Sequence, residues 1–398
     1  MSQNDIITSF VDQHLDAFKQ AALQIHAQPE TSNHEFFASA TLVGLLEQQG
    51  FTVTTGTANH RTAFDARYKS TLPGPVIVLL AEYDALPDIG HACGHNLFGA
   101  TSALAAAALR HIIDEIGGEV RVYGTPGEEG GEKGWAKDSF VKAGLFEDVS
   151  AALCVHPGAR HTRTSPSLAV DMVNIEFTGK AAHAAACPEA GINALDAVIQ
   201  VFNSINAWRQ QLARGALIHG IITDGGAAPN IIPEHASAKF FLRAEVRPVL
   251  DAMTRHFHDI VQGAALATGC SFVFDKYENK LDNTIRLREF DDVYARHLAS
   301  YGQTLEEKPQ GEGYGSSDVG NVSQIVPTIQ PMISISDAPI VLHSLDSREA
   351  ARSPKGLESI GLGAKVLALT AAELIQTPSL LSSITAAHQH ALDAQQAK

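Results

Sequence analysis

A continuous apolar run, followed by a polar turn and then an alanine-rich segment, most constrains how this chain can fold. Residues 76–80 are all apolar, which is typical of a strand buried on both faces. Residues 97–109 are rich in Ala and Leu and predict a buried helix. Between them lies a turn that contains Cys93-Gly94-His95. Open α/β sheets place their chemistry at the carboxyl ends of core strands, so this turn predicts a functional site.

Composition restricts the class of protein. The 398 residues are enough for two domains, and 45% hydrophobic with 18% charged residues is typical of a globular protein. No apolar run reaches the roughly 20 residues of a membrane span, and the first residues do not resemble a signal peptide. We therefore expect no membrane partner. A net charge of −15 argues against nucleic acid as a partner. Four scattered cysteines favour a reducing, cytoplasmic location.

The order of the predicted elements indicates two domains. Residues 5–50 are expected to be helical, and strand-like and helical segments then alternate as far as residue 155 and again beyond residue 282. This α/β alternation predicts a mixed sheet covered by helices, formed by residues 1–167 and 282–398. Between residues 168 and 281 the order is strand, helix, strand, strand, helix, strand, which is that of a ferredoxin-like α+β domain. We therefore expect a catalytic α/β domain with a ferredoxin-like domain inserted into it.

A pair of adjacent carboxylates, Glu128 and Glu129, lies in a glycine-rich loop after the predicted strand 120–123. Such neighbours repel each other and lack partners at helical spacing, so they contribute little as structure. A solvated acidic loop is the alternative. As chemistry the pair has a clear use, because one carboxylate can bind a metal while the other accepts a proton from metal-activated water.

Other metal-binding side chains also follow predicted strands. Cys93 and His95 flank a glycine, His156 follows the strand 151–155, and His343 follows the apolar run 340–342. Each has an ordinary alternative, as a small buried hydrophobe or a histidine in a turn. Ligand sets at four strand ends of one domain instead favour a zinc site, with manganese or cobalt also suitable. One Cys, one Glu and three His exceed one open tetrahedral site, which predicts two metals sharing ligands.

The inserted domain carries polar side chains of its own. His183 follows an alternating strand, and Asn230 lies in a loop that precedes apolar residues. Arg243 lies in an apolar strand, where a buried guanidinium needs a carboxylate partner. That partner is either a neighbour such as Glu245 or the carboxylate of a substrate.

Together these motifs resemble those of the dinuclear-zinc amidohydrolases and peptidases. This family includes aminoacylases, carboxypeptidase G-type enzymes, hippurate hydrolase and auxin-conjugate amidohydrolases. The motifs appear in order as Asp-Ala-Leu-Pro, His-Ala-Cys-Gly-His, Glu-Glu, His-Pro, Gly-Lys-x-Ala-His-Ala-Ala, Asn-Ile-Ile-Pro, Ser-Ser-Asp-Val and a final His. They extend from residue 84 to residue 343. Residues 83–96 look closest to the branch of aminobenzoyl-glutamate hydrolase and β-alanyl-lysine-type dipeptidases.

The resemblance implies a role for each matching residue near the metals. Glu128 would be the general base and acid, and Asp84 the carboxylate that orients a ligand. His183 would stabilise the developing oxyanion, often in the active site of the partner subunit. The implied ligands of the two divalent metal ions are Cys93, His95, Glu129, His156 and His343.

The resemblance also implies a substrate-binding set and shows one departure. Asn230 and Arg243 would bind the terminal carboxylate of the substrate, and the loop 315–319, with Ser317, would line the site. The departure is Asn96, where many relatives have Asp. A neutral amide there would remove one negative charge near the metals.

These patterns predict a cytoplasmic, metal-dependent amidohydrolase that cleaves the amide bond of N-acyl amino acids or dipeptides and forms a homodimer through the inserted domain. Two alternatives remain. One is an amide hydrolase that uses Cys93 as its nucleophile. The other is a non-catalytic, ligand-binding relative, against which the intact Glu128-Glu129 pair and ligand set argue.

Overall fold

The computed structural model describes residues 2–131, 133–277, 279–307 and 315–396. Its helices are α1 (Gln3–Ala27), α2 (Phe36–Gln48), α3 (His95–Ile116), α4 (Ala136–Lys142), α5 (Ala194–Trp208), α6 (Arg247–Thr268), α7 (Arg288–Ala299), α8 (Val319–Ser323), α9 (Leu345–Ala350), α10 (Pro354–Gln376) and α11 (Pro378–Gln396). Its strands are β1 (Thr52–Thr55), β2 (Phe64–Lys69), β3 (Val76–Ala81), β4 (Glu119–Gly124), β5 (Ala151–Leu153), β6 (His156–Gly158), β7 (Ala169–Thr178), β8 (Leu217–Asp224), β9 (His235–Ala244), β10 (Ser271–Lys276), β11 (Thr328–Ile329) and β12 (Met332–Ser334).

The described residues form two compact units. The first unit contains the chain up to Pro166 and the segment from Thr284 to Ala394, and the second contains Ser167–Asn283 with the last described residues. Within the described ranges, no single helix is long and apolar enough to cross a membrane. The pair α10 and α11 meets that test only when the two are taken together across a bend of 100°.

The first unit is built on a mixed six-stranded sheet in the order β1-β2-β4-β3-β5-β11. Strands β1, β2 and β4 pair antiparallel, whereas β4, β3, β5 and β11 pair parallel. Strand β3 is buried on both faces, as its apolar run predicts. Ile77 and Leu79 pack with α1, α3 and α10, while Val78 and Leu80 pack with α4 and α8. Both faces of the sheet are therefore covered, and its strand ends can carry the site.

Two predicted strands are shorter than expected because each breaks in two. Of the predicted strand 151–155, only residues 151–153 form a strand, β5. His156 then begins the separate strand β6. Residues 328–334, over which the sequence predicts one further strand, divide in the same way into β11 and β12 at Pro331, which has no backbone N–H to donate. Strands β6 and β12 pair with each other in a two-stranded parallel sheet. The break places His156 inside a strand of its own rather than in a loop.

The prediction of helical structure over residues 5–50 needs one correction. Helix α1 ends at Ala27 and α2 begins at Phe36, so residues 28–35 are not helical. Pro29 explains the break, because a proline disfavours helical conformation in the residue before it. Glu30 then accepts hydrogen bonds from the backbone N–H groups of Phe37 and Ala38, which caps the start of α2.

The second unit is an antiparallel sheet in the order β10-β7-β9-β8. Along the chain its elements run β7-α5-β8-β9-α6-β10, which is the ferredoxin-like order that the sequence predicts. Helices α5 and α6 pack against apolar residues of the sheet, among them Phe240 and Leu242. The alternating residues Lys239, Phe241 and Arg243 are more exposed and lie on the other face of β9.

Candidate metal centre

The Cys93-Gly94-His95 turn lies between β3 and α3. Gly94 is the residue before α3 and has a φ of +81°, a left-handed conformation that favours glycine. A Cβ at this position would lie 2.8 Å from the Cβ of Pro157. Glycine therefore allows the turn to pack directly against β6, the strand that begins with His156.

The thiol of Cys93 is the point on which the candidate ligands converge. Its Sγ lies 3.5 Å from Nε2 of His156 and 3.4 Å from Nε2 of His343. Nδ1 of His156 donates to the carbonyl of Pro157 at 2.7 Å, so its Nε2 carries the lone pair that faces the thiol. Cys93, His95 and His156 form one group with ligand atoms within 4.8 Å of one another, and Cys93, Glu129 and His343 form a second. Cys93 belongs to both groups.

Asp84 organises the other side of the cluster. Its Oδ1 accepts a hydrogen bond from Nδ1 of His95 at 2.9 Å, and its Oδ2 accepts from the backbone N–H of Glu129 at 3.0 Å. Ser32 donates to the same Oδ2 at 2.8 Å. Burial raises the pKa of Asp84, but the charge and hydrogen bond of His95 outweigh it and lower that pKa to about 2. The ionised carboxylate thus orients His95 with Nε2 directed away from it.

The two adjacent glutamates differ in their surroundings. Oε1 of Glu129 lies 3.3 Å from Nε2 of His343. Burial raises the pKa of Glu129, but the neighbouring imidazole of His343 and the charge of His95 outweigh it and hold that pKa below its usual value. Burial, followed by the charges of Glu82 and Glu129, raises the pKa of Glu128 well above the usual value. A raised pKa suits a carboxylate that takes up a proton during a reaction.

His343 reaches the cluster from a turn, which corrects the expectation of a strand before it. Residues 335–344 contain no strand in the structure, and Val341 is 76% exposed. Pro339 cannot donate to a strand ladder, and no described residue pairs with the run 340–342. His343 instead has a φ of +64°, and its backbone N–H donates to the carbonyl of Ala92 at 3.0 Å. This bond ties the turn to the residue before Cys93.

Asn96 is buried beside the cluster but faces away from it. Its side-chain amide donates to the carbonyl of Ala22 at 3.2 Å and to that of Ala351 at 3.1 Å. An ionised aspartate has no N–H to donate and could not form these two bonds. Asn96 therefore has a structural role, in which it joins α3 to α1 and to the end of α9, and the missing charge near the metals stays a prediction.

Two charged residues of the site have no signal in the motifs. Glu82 directly follows β3, is completely buried, and places Oε2 3.4 Å from Nε2 of His95. Lys137 of α4 is also completely buried, with Nζ 2.8 Å from Oε1 of Glu82 and 2.6 Å from Oδ1 of Asp318. The sequence offers one signal for Glu82, which is that a charged residue directly follows the apolar run 76–81.

The non-helical segment 28–35 also supports the site. Glu35 accepts a hydrogen bond from the backbone N–H of Gly127 at 3.0 Å, and Asn33 donates to the carbonyl of Gly134 at 3.3 Å. Burial, with the charge of Asp84, raises the pKa of Glu35 to about 7. These contacts hold the two ends of the loop that carries the glutamate pair.

The remaining predicted residues divide between the two units. In the first unit, Ser317 accepts a hydrogen bond from the backbone N–H of Val319 at 3.3 Å. In the second unit, His183 and Asn230 lie in loops that are joined by a hydrogen bond from the N–H of Ala184 to the carbonyl of Asn230 at 3.0 Å. Arg243 is half-buried on β9, with its guanidinium 5.4 Å from the ring centre of Phe241.

The donor set of the first unit fits divalent metals. Thiolate, imidazole and carboxylate donors converge, and two of the buried ligand atoms, Nε2 of His95 and Oε1 of Glu129, have no hydrogen-bond partner among the described residues. Buried polar atoms are normally satisfied, so these two atoms need a cation or a bound solvent molecule.

Comparisons with known proteins agree with this geometry. Residues 170–268 match the family model described as a peptidase dimerisation domain. The chain is 33% identical over 389 residues to the Xaa-Arg dipeptidase of Mus musculus, a match that covers 94% of this chain and 89% of that protein. It is 30% identical over 479 residues to one of the subunits of p-aminobenzoyl-glutamate hydrolase from Escherichia coli (strain K12), with coverage of 98% and 96%.

Solved structures show the same fold. An aminobenzoyl-glutamate utilization protein from Klebsiella pneumoniae superposes with a TM-score of 0.74 at 17% identity, covering 92% of this chain and 98% of that one. A dinuclear metal-binding peptidase of the M20 family from Bacillus subtilis gives 0.65 at 20% identity, covering 93% and 99%. The predicted fold class, family and reaction class are confirmed. The chain belongs to the M20 family of amidohydrolases and peptidases, and it is a metal-dependent hydrolase of amide bonds.

Proposed function

We propose that this enzyme cleaves the amide bond of a small N-acyl amino acid or dipeptide that has a free carboxylate. The observation that carries the proposal is the convergence of four ligand side chains on the thiol of Cys93, with the carboxylate of Glu128 close to His95. The names of the relatives support the substrate class, since one is a dipeptidase and another hydrolyses p-aminobenzoyl-glutamate. The four cysteines are free, which supports a reducing, cytoplasmic location.

Two divalent metal ions are proposed as cofactors, with zinc preferred and manganese or cobalt as alternatives. When bound, such ions polarise the scissile carbonyl and lower the pKa of a water molecule. The proposed ligands are Cys93, His95, Glu129, His156 and His343.

The protein's own residues then perform the proton transfers. Glu128 accepts the proton of the attacking water on its carboxylate and later gives it to the nitrogen of the leaving amine. Asp84 holds Nδ1–H of His95 throughout, so the lone pair of Nε2 stays directed at the cluster. Asn230 and Arg243 are proposed to bind the carboxylate of the substrate, and Ser317 is proposed as a further substrate-binding residue.

The most direct test combines metal analysis with a substrate screen. Purified enzyme is assayed for zinc, manganese and cobalt content, and then for hydrolysis of N-acyl amino acids, p-aminobenzoyl-glutamate, β-alanyl-lysine and dipeptides with a carboxyl-terminal arginine. We expect up to two metal ions per chain and turnover of at least one of these classes. A metal-loaded protein that hydrolyses none of them would support the non-catalytic alternative.

His183 is proposed to donate a hydrogen bond to the oxyanion. Its Nδ1 accepts from the backbone N–H groups of Ala185 and Ala186, both at 3.2 Å, so the neutral ring carries its proton on Nε2. We expect His183→Ala to lower kcat by about 10²–10³-fold with a smaller change in KM, because an oxyanion forms only in the transition state. Steady-state kinetics measure this. His235→Ala, which removes another exposed histidine of the same unit, should leave kcat unchanged, and an effect of His183→Ala on KM alone would contradict the role.

The second unit is proposed to form the contact of a homodimer through β8. This strand is an edge of its sheet, and Ile221 and Ile222 are 64% and 45% exposed on it. An edge strand presents unpaired backbone groups that a second copy can pair with. The match of residues 170–268 to a peptidase dimerisation domain supports this choice.

Replacing Ile221 with lysine is therefore expected to shift the protein from dimer to monomer, because a charge would be buried in the contact. Light scattering coupled to size-exclusion chromatography measures the mass. The matched control is Val273→Lys on β10, the opposite edge of the same sheet, where the exposed valine is 56% accessible. The proposal fails if the control dissociates the dimer and Ile221→Lys does not.

A further inference from the structure

Glu82, two residues before the Asp-Ala-Leu-Pro motif, faces the ring of His95 from inside the protein. Its Oε2 lies 3.4 Å from Nε2 of His95, and both side chains are completely buried. Nδ1 of His95 donates to Asp84, so in the neutral ring Nε2 has a lone pair and no proton. Neither Nε2 nor Oε2 of Glu82 has a hydrogen-bond partner among the described residues. Two buried acceptors at this distance repel each other unless a proton on Nε2 or a metal cation lies between them, and binding of a metal requires the neutral ring.

We propose that Glu82 is a further metal ligand, whose Oε2 shares one cation with Nε2 of His95. This inference rests on the proposed metal-dependent function and extends it, because the family motifs do not include residue 82. Glu82, His95 and Glu128 form a third group with ligand atoms within 4.8 Å of one another. Through His95 this group is joined to the group of Cys93, His95 and His156. Glu82 therefore adds a carboxylate to a cation otherwise held by sulfur and nitrogen.

Lys137 determines which oxygen of Glu82 is available. Its Nζ lies 2.8 Å from Oε1 of Glu82 and 2.6 Å from Oδ1 of Asp318, and its backbone N–H donates to Oδ2 of Asp318 at 3.2 Å. All three side chains are completely buried. A buried ammonium between two carboxylates compensates their charges and fixes their orientation. With Oε1 held by Lys137, Oε2 is the oxygen left for the metal.

Glu82 and Glu128 approach His95 from different environments. Oε2 of Glu128 lies 3.9 Å from Nε2 of His95, and its side chain is 10% exposed, whereas that of Glu82 is 0% exposed. Substrate and water can therefore reach the cation from the side of Glu128, while Glu82 closes the inner side. Glu128 stays free to act as a base. Carboxylate oxygen is a harder ligand, in the acid–base sense, than sulfur or nitrogen. Adding it should therefore raise the affinity of the site for manganese above that of a site with sulfur and nitrogen ligands alone.

The test compares two variants, each of which removes one of the two carboxylates that pair with Lys137. Glu82→Gln removes the proposed ligand, and Asp318→Asn removes the partner that belongs to none of the ligand groups. Metal affinity is measured by competition with a chelator for manganese and zinc, and the absorption spectrum of the cobalt-loaded protein reports the ligands. We expect Glu82→Gln to weaken metal binding about tenfold or more, with a greater loss for manganese, and to change the cobalt spectrum. Asp318→Asn should retain the wild-type spectrum.

Each outcome has a separate meaning. If Glu82→Gln keeps the affinities and the cobalt spectrum of the wild type, Glu82 is not a ligand and the inference is overturned. If the wild type itself binds no metal, the proposed function fails instead. Should Glu82→Gln not fold, Glu82→Asp carries the test. This variant keeps the negative charge that pairs with Lys137, but its side chain is one methylene shorter, so its oxygen lies farther from the proposed metal. Unchanged affinity in that variant would equally overturn the inference.

Discussion

Replacing Glu128 with glutamine is expected to lower kcat by about 10²–10⁴-fold, while the protein stays folded and metal-loaded. The amide has the same shape as the carboxylate but cannot accept the proton of the attacking water. Glu128 is proposed to remain off the metals, so metal content should not change. Steady-state kinetics, metal analysis and thermal unfolding of the same preparation separate these effects.

The control for this prediction is Glu115→Gln, which makes the same chemical change at an exposed position near the end of α3. It should leave kcat and metal content as in the wild type. Near-wild-type turnover by the Glu128→Gln protein would show that the proposed mechanism is wrong. Loss of metal together with activity would instead make Glu128 a ligand.

Replacing Cys93 with alanine is expected to abolish activity by removing metal from the centre. Its Sγ belongs to two of the three ligand groups and lies within 3.5 Å of two histidine nitrogens, so both ions should lose a ligand at once. We expect less than one metal ion per chain after dialysis and no measurable turnover. Mass spectrometry of metals and a hydrolysis assay measure the two losses on one sample.

The same variant separates metal-dependent catalysis from a cysteine nucleophile. If the thiol attacked the substrate, Cys93→Ala would be inactive but fully loaded with metal, and the wild type would survive a chelator. We expect the wild type to be inactivated by chelator and restored by zinc or manganese. Cys154→Ala is the matched control, since this cysteine is also buried in the first unit but belongs to none of the ligand groups.

Most of the elements follow from local patterns. Strand β3 and helix α3 lie where the apolar run and the alanine-rich segment predict them, because burial on both faces leaves a continuous apolar sequence. The ferredoxin-like order of the second unit follows from alternation with a period of two along β7 and β9. Strands β1 and β2 carry no comparable pattern, and only the antiparallel pairing of β1 with β2 and of β2 with β4 reveals them.

The motifs predict which residues form the centre better than they predict the backbone conformation that positions those residues. The motifs named Cys93, His95 and His343, but not that His343 lies in a turn tied to Ala92. The motif predicts that Asn96 alters the charge of the centre, but it does not predict that the side-chain amide joins three helices. A motif states which side chains are present, and their directions depend on backbone that packs from elsewhere.

The sequence by itself determined the family, the two-part architecture, the reaction class and the residues that converge on Cys93. Those conclusions rest on periodicity and on short motifs, which are local properties of the chain. Only the tertiary structure decided that Glu82 faces His95 and that Lys137 joins it to Asp318, a residue 181 positions further along. The physical reason is that burial makes each of these charges depend on a partner, and partners distant in sequence leave no periodic signal.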